Sequence, residues 1–479
     1  MEATRMPPRR TKIVVTLGPA TDGLERELVA SGLDVARLNF SHGEPAEQRR
    51  RCEAIRAAAK AQGRMIAVMQ DLPGPKIRTG RLAGGGPVDL VAGQTLTITG
   101  GDEIGDSTRV SCTYAALADD VRPGNMLLLD DGHIRLTVVG AAGGEIQARV
   151  EEGGPLGEHK GINAPGVAIS ASVPTEADVR DLLFGIAELD VDYVALSFIR
   201  TADEVRRVRE LVRELRRDTP VVVKLEKEEA IHNLDAILKV ADAVMVARGD
   251  LGVELAPERV PVLQKTIIRR ANTLSLPVIT ATQMLDSMTH DETPTRAEAA
   301  DVANAVWDGT DAVMLSGETA IGRHPLLALR MMDRIVRSAE SAEMGAPAVP
   351  RHRSRSHEAA ITHAAQVLAE DLGARAIVGL TRTGHTAQLL SAGRAKSPIY
   401  AFSPNPRVCN RLALWWGIDP IFHPLAQSME ENVAAMEAAL CERGSVSPGD
   451  LVVIAGSQPF KPGVHTNFVK FQRVGGRRT

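Results

Sequence analysis

Lys224 and Glu226 stand two residues apart in the apolar run Val221-Val-Val-Lys-Leu-Glu226. On a strand that spacing points both side chains to one face. A second carboxylate, Asp250, follows the next apolar run in Ala247-Arg-Gly-Asp-Leu-Gly252, which places it beside Glu226. Two carboxylates from neighbouring strand ends suit a hard divalent cation such as Mg²⁺, completed by water and substrate oxygens. A lysine against that metal neutralises charge on a transferring phosphoryl group. The plain alternative is a salt bridge closing a barrel top. Arg37 and Thr282, at the ends of other such runs, weigh against it.

These residues need a frame that gathers strand ends. Apolar runs of strand length occur at 12–17, 34–39, 65–71, 193–198, 221–226, 243–247, 277–282 and 312–316. Helical patterns at 46–62, 202–217, 257–274 and 296–308 lie between them. Strands that alternate with helices predict an α/β chain built on a (β/α)₈ TIM barrel, whose chemistry sits at the carboxyl ends of the strands. The runs end in Asn39, Asp71, Lys224, Glu226, Asp250, Thr282 and Glu318, a concentration of polar groups that points to an enzyme.

Far more chain separates the third and fourth runs than any other neighbours. The excess, 75–172, is rich in glycine and has β-like runs at 88–99, 126–136 and 145–150. It predicts a small β-barrel lid domain inserted at the active-site face. The barrel is then 12–74 and 173–344, after a short disordered tail at 1–11. A basic linker, Arg351-His-Arg-Ser-Arg-Ser-His357, opens a third unit over 345–479. There helices (358–372, 428–443) and strands (376–381, 399–402, 450–455) predict an α/β three-layer domain.

Composition narrows the classes. The chain has 479 residues, which calls for roughly two to four domains. A net charge of −4 supplies no global basic field, so no nucleic-acid partner is expected and any anion site must be local. No run approaches a membrane span, and the first residues lack the apolar core of a secretory signal. The four cysteines, Cys52, Cys112, Cys409 and Cys441, show no metal spacing and read as reduced thiols of a cytoplasmic protein.

Eight segments carry a family resemblance. They are Val-Ala-Arg-Leu-Asn-Phe-Ser-His-Gly (35–43), Gly-Pro-Lys-Ile-Arg-Thr-Gly (74–80), Val-Lys-Leu-Glu (223–226), Met-Val-Ala-Arg-Gly-Asp-Leu-Gly (245–252), Ala-Thr-Gln-Met-Leu (281–285), Pro-Thr-Arg-Ala-Glu (294–298), Asp-Val-Ala-Asn-Ala (301–305) and Met-Leu-Ser-Gly-Glu-Thr-Ala (314–320). Together, and in this order, they resemble the pyruvate kinases. The resemblance implies a cytoplasmic, allosteric homotetramer at the final step of glycolysis, passing the phosphoryl group of phosphoenolpyruvate to ADP to give pyruvate and ATP. It implies Mg²⁺ or Mn²⁺ on Glu226 and Asp250, a charge-stabilising Lys224, and Arg37 on the substrate phosphate. It gives Gly249 and Asp250 the substrate carboxylate through their amides, and ties Thr282 to protonation of the enolate. Asn39, His42, Arg78 and Lys160 fall to the nucleotide, with Arg78 also counted as catalytic.

Asn39, Ser41, Asp71 and the carbonyl of Leu72 match the family's monovalent-cation site. In potassium-requiring relatives a glutamate stands where this chain has Lys76, and relatives with lysine tend to be potassium-independent. The lysine is expected beside Asp71, carrying the charge that K⁺ would otherwise bring. Thr381, Thr383, Gly384, Thr386 and Lys461 resemble an effector site for a sugar phosphate or AMP. Two other readings share the fold. A Mg²⁺-dependent 2-oxoacid lyase or aldolase would need no nucleotide lid, and a non-catalytic metabolite sensor would have lost Lys224, Glu226, Asp250 or Thr282.

Overall fold

The computed structural model describes residues 9–342, 356–424, 426 and 428–476. The basic linker before Ser356 lies outside the described residues. So do residues 1–8 of the expected tail. Residues 9–11, read as part of that tail, are tied to the barrel instead: Arg9 reaches Asp34 at 2.8 Å and Asp333 at 2.9 Å, and Glu340 accepts from the amides of Arg10 and Thr11.

Eight parallel strands close the barrel: β1 (Lys12–Leu17), β2 (Val35–Asn39), β3 (Ala67–Leu72), β4 (Tyr193–Leu196), β5 (Val221–Leu225), β6 (Ala243–Ala247), β7 (Val278–Ala281) and β8 (Ala312–Leu315). They are rich in β-branched residues and buried on both faces, as parallel strands under a helical layer must be. Ile13, Val15, Val221, Val223 and Leu225 pack outward against the helices. Val14, Val35, Met69, Val222 and Met245 fill the lumen. This alternation puts Arg37, Asp71 and Lys224 on the lumen side, one step above Val35, Met69 and Val222.

The inserted segment forms a six-stranded curled sheet in the order Ile162–Asn163, Met126–Leu129, Ile134–Ala142, Glu145–Glu152, Thr95–Gly100 and Arg109–Cys112. The run read as one strand over 126–136 is a hairpin. Asp130, Asp131 and Gly132 all take positive φ, the turn chemistry that reverses a chain between two strands. The run at 88–99 is likewise broken, at Gly93 (φ +90°). The helix read over 257–274 begins as a 3₁₀ turn, Pro257–Arg259, followed by Val260–Thr273.

The C-terminal unit carries a five-stranded sheet in the order Ile418–Phe422, Ile399–Ser403, Ala376–Leu380, Leu451–Gly456 and Phe468–Arg473, the last antiparallel. Its two outer strands are absent from the sequence reading. One holds Pro420, which only an edge strand accommodates. This unit seals the amino-terminal end of the barrel. Lys12 Nζ donates to Ile418 O at 2.6 Å, Tyr193 Oη to Arg411 O at 2.7 Å and Arg394 Nη2 to Gly309 O at 2.8 Å. Chemistry is left to the opposite, carboxyl end. Among the described residues no helix is long and apolar enough to cross a membrane. The four cysteines are free thiols.

Candidate active site

At the carboxyl mouth a chain of buried charge runs from β2 to β5. Arg37 Nε donates to Asp71 Oδ2 at 2.6 Å, and its Nη1 to Thr16 Oγ1 at 3.0 Å. The other oxygen of Asp71 lies 3.3 Å from Lys224 Nζ, which in turn lies 3.0 Å from Glu226 Oε1. Burial alone would lower the affinity of Lys224 for its proton, but Asp71 and Glu226 outweigh it and hold the ammonium charged. Burial would likewise raise Asp71, yet Lys224 and Arg37 keep its carboxyl below the usual range. This cross-strand connection depends on the register that sets Asn39 opposite Asp71, which spacing within one strand does not reveal.

Two residues outside the sequence reading complete the frame. Lys224 Nζ donates to Ser197 Oγ at 2.6 Å, and that hydroxyl donates onward to Leu72 O at 2.7 Å. The amide of Phe198 donates to Glu226 Oε2 at 2.7 Å. Phe198 holds φ +57°, an uncommon conformation for a bulky side chain that costs on the order of 1–3 kcal/mol. The only advance signal was a serine at the end of the fourth apolar run.

Thr282 is a second outlier, a β-branched residue at φ +70° just past β7. Its Oγ1 accepts from the Gly249 amide at 2.7 Å and donates to Ala281 O at 2.6 Å, while Arg248 Nη2 donates to Thr282 O at 2.7 Å. The surroundings over-determine its pose, as they do for residues held at sites of chemistry. The Gly249 amide, expected to face a substrate carboxylate, is therefore turned to Thr282. Asp250 stands not on a strand end but in the first turn of the helix Arg248–Glu254.

Glu226 and Asp250 are close enough that the like charge of Asp250, added to burial, raises the Glu226 carboxyl against the pull of Lys224. Two neighbouring carboxylates, Glu226 buried and Asp250 partly exposed, suit a small cation. Among the described residues no group of three or more His, Cys, Asp or Glu side chains is arranged for a metal. Two carboxylates, with water and substrate supplying the rest, are the donor set Mg²⁺ accepts. The residues fit the ion.

The remaining candidates divide. His42 lies among Arg78, Lys76 and Arg37, and burial first, then those cations, lower the affinity of its imidazole for a proton. Lys160 pairs within the inserted sheet, 2.8 Å from Asp130, and Arg78 Nη1 donates to His159 O at 3.0 Å. Asn39 Oδ1 accepts from the Ser41 amide at 3.1 Å. Lys76 departs from its expected place. Its ammonium lies 3.6 Å from Asp250, so it pairs with that residue rather than with Asp71, whose oxygens already face Arg37 and Lys224. In the C-terminal unit, Thr381 Oγ1 accepts from the Gly384 amide at 2.9 Å. Thr386 Oγ1 lies 2.7 Å from the hydroxyl of Thr466, a residue the sequence reading did not include.

The family model described as "Pyruvate kinase, barrel domain" matches residues 8–329, and "Pyruvate kinase, alpha/beta domain" matches 359–471. The chain belongs to the pyruvate kinase family. It is 46% identical to a pyruvate kinase of Mycobacterium intracellulare, across 98% of this chain and 99% of that one. It is 45% identical to the Corynebacterium glutamicum pyruvate kinase, across 98% of each. A solved pyruvate kinase from Cryptosporidium parvum superposes with a TM-score of 0.90 at 35% identity, over 97% of this chain and 96% of that structure. Membership makes the chain a phosphotransferase, and neither the lyase nor the sensor reading is favoured.

Proposed function

We propose that this pyruvate kinase family member transfers the phosphoryl group of phosphoenolpyruvate to ADP, using the mouth formed by Arg37, Lys224, Glu226, Asp250 and Thr282. The observation that carries the residue assignment is the continuous buried chain Arg37–Asp71–Lys224–Glu226, which holds two cations in fixed positions at the strand ends. Positioned charge is what phosphoryl transfer needs most. Mg²⁺ or Mn²⁺ on Glu226 and Asp250 would add positive charge to the transferring group. Arg37 binds the substrate phosphate, and Lys224 stabilises both the phosphoryl group in flight and the enolate left behind. The amide of Asp250, in a helical first turn with no intrahelical acceptor, serves the substrate carboxylate. His42, Arg78 and Lys160 bind the nucleotide, with Arg78 and Lys160 brought by the inserted sheet acting as a lid.

A coupled assay tests the assignment: pyruvate should form from phosphoenolpyruvate only with both ADP and a divalent cation. Release of pyruvate without ADP would overturn it. Thr282→Val should slow protonation of the enolate more than phosphoryl transfer, because Lys224 and the carboxylate pair remain. Solvent tritium exchange into pyruvate measures the proton step alone, and unchanged exchange would reduce Thr282 to a shaping role.

The enzyme is also proposed to work without K⁺. Lys76 already brings a cation to the mouth, and the Asp71 oxygens already have cationic partners. Activity in K⁺ and in tetramethylammonium at matched ionic strength should differ by less than about tenfold, or ~1.4 kcal/mol, and Lys76→Glu should introduce a larger dependence. A cytoplasmic homotetramer regulated at Thr381–Thr386 and Lys461 completes the reading. A shift of the phosphoenolpyruvate saturation curve by AMP or sugar phosphates is its measurement.

A further inference from the structure

Each carboxylate of the proposed metal pair has its own lysine. Lys224 serves Glu226 at 3.0 Å, and Lys76 serves Asp250 at 3.6 Å. The two lysines are held very differently. Lys224 is buried among Asp71, Glu226 and Ser197. Among the described residues Lys76 pairs with Asp250 alone, and its side chain is 30% exposed. Its backbone, by contrast, is fixed. Gly74 turns at φ +65° so close to the barrel that a Cβ there would lie 3.0 Å from Ser197 O. Its amide donates to Asp178 Oδ1 at 2.9 Å, and the Lys76 amide donates to Gly74 O at 2.8 Å. Pro75, Lys76 and Ile77 then line a seam with Phe198 and Lys227, along which the lysine stem reaches the mouth. A pinned backbone thus delivers a movable ammonium to one chosen carboxylate.

We infer that Lys76 is a resident counter-charge that competes with the divalent cation for Asp250. The inference rests on reading Glu226 and Asp250 as the metal pair. A divalent ion and an ammonium on the same carboxylate repel each other, so metal loading has to move Lys76 aside. The lysine therefore lowers the affinity of the free enzyme for its metal. Once displaced it leaves a mobile cation beside the place where anionic substrate arrives. Lys76 is a positioning residue for the metal rather than a ligand, and its effect is readable without turnover.

The experiment measures Mn²⁺ binding to the substrate-free enzyme by electron paramagnetic resonance of the unbound ion, in tetramethylammonium buffer. Lys76→Met should bind Mn²⁺ tighter by about fivefold or more, the scale of removing one partly exposed like charge. Lys76→Arg should stay within about twofold of the parent, since charge is kept. Lys160→Met removes a nearby lysine paired with Asp130 instead and should also stay within about twofold. Unchanged or weaker binding in Lys76→Met overturns the inference. So does equal tightening in Lys160→Met, which would mark a general charge effect. Glu226→Ala and Asp250→Ala separate the two failures. If both retain parental Mn²⁺ affinity, the metal pair itself is wrong and the inference falls with it. If they lose affinity while Lys76→Met changes nothing, only the competition is wrong.

Discussion

Lys224→Met is expected to lower kcat by roughly 10²–10³, the cost of deleting one preorganised electrostatic stabiliser. The KM for phosphoenolpyruvate should change far less, because Arg37, the residue proposed to hold the substrate phosphate, stays in place. Such a split is the mark of an interaction made in the transition state rather than in the bound ground state. The structure makes the case stronger than the motif does. The ammonium is fixed by Asp71, Glu226 and Ser197 before any substrate arrives, so it need not reorganise during the reaction. A variant with near-parental kcat would remove Lys224 from the mechanism.

Asp71→Ala should destabilise the fold by about 3–5 kcal/mol at neutral pH, the usual result of taking one partner out of a buried ion-pair network. Two cations, Arg37 and Lys224, would then share a dry site in which Glu226 is the carboxylate left in contact with Lys224. Urea unfolding at pH 7 measures the loss, and a change below about 1 kcal/mol, typical of exposed pairs, would contradict it. The pH dependence carries a sign. Lys224 and Arg37 depress the folded carboxyl, so its contribution is complete above the unfolded value of roughly 3.9 and fades as pH falls through the lower folded value. Parent and variant should therefore converge under strong acid.

Much of this arrangement could be read from the chain. Parallel strands buried on both faces must be apolar runs, which is why Val221–Leu225 and Ala243–Ala247 stand out unaided. Residues two apart on a strand must share a face, so the Lys224–Glu226 contact follows from spacing alone. What stayed hidden depends on how separate segments return to one another. The Arg37–Asp71 pair needs the register between two strands. Ser197 and Phe198 act through a loop bent into a rare conformation, and Lys76 reaches Asp250 only because the turn at Gly74 packs against that loop. The hairpin at Asp130–Gly132 was within reach, since an Asp-Gly pair is a turn signal, but continuous apolar sequence on either side masked it.

The left-handed backbone at Phe198 and Thr282 bears on how this sequence can change. Glycine at either position would relax the main chain at no steric expense. A search that rewards relief of backbone strain alone would therefore be drawn to these two sites, where that relief comes with loss of the Thr282 hydroxyl, or of the ring at 198 over which Lys227 sits. Improvement of this scaffold is better sought far from the mouth, because near it the least comfortable residues are the ones that frame the site.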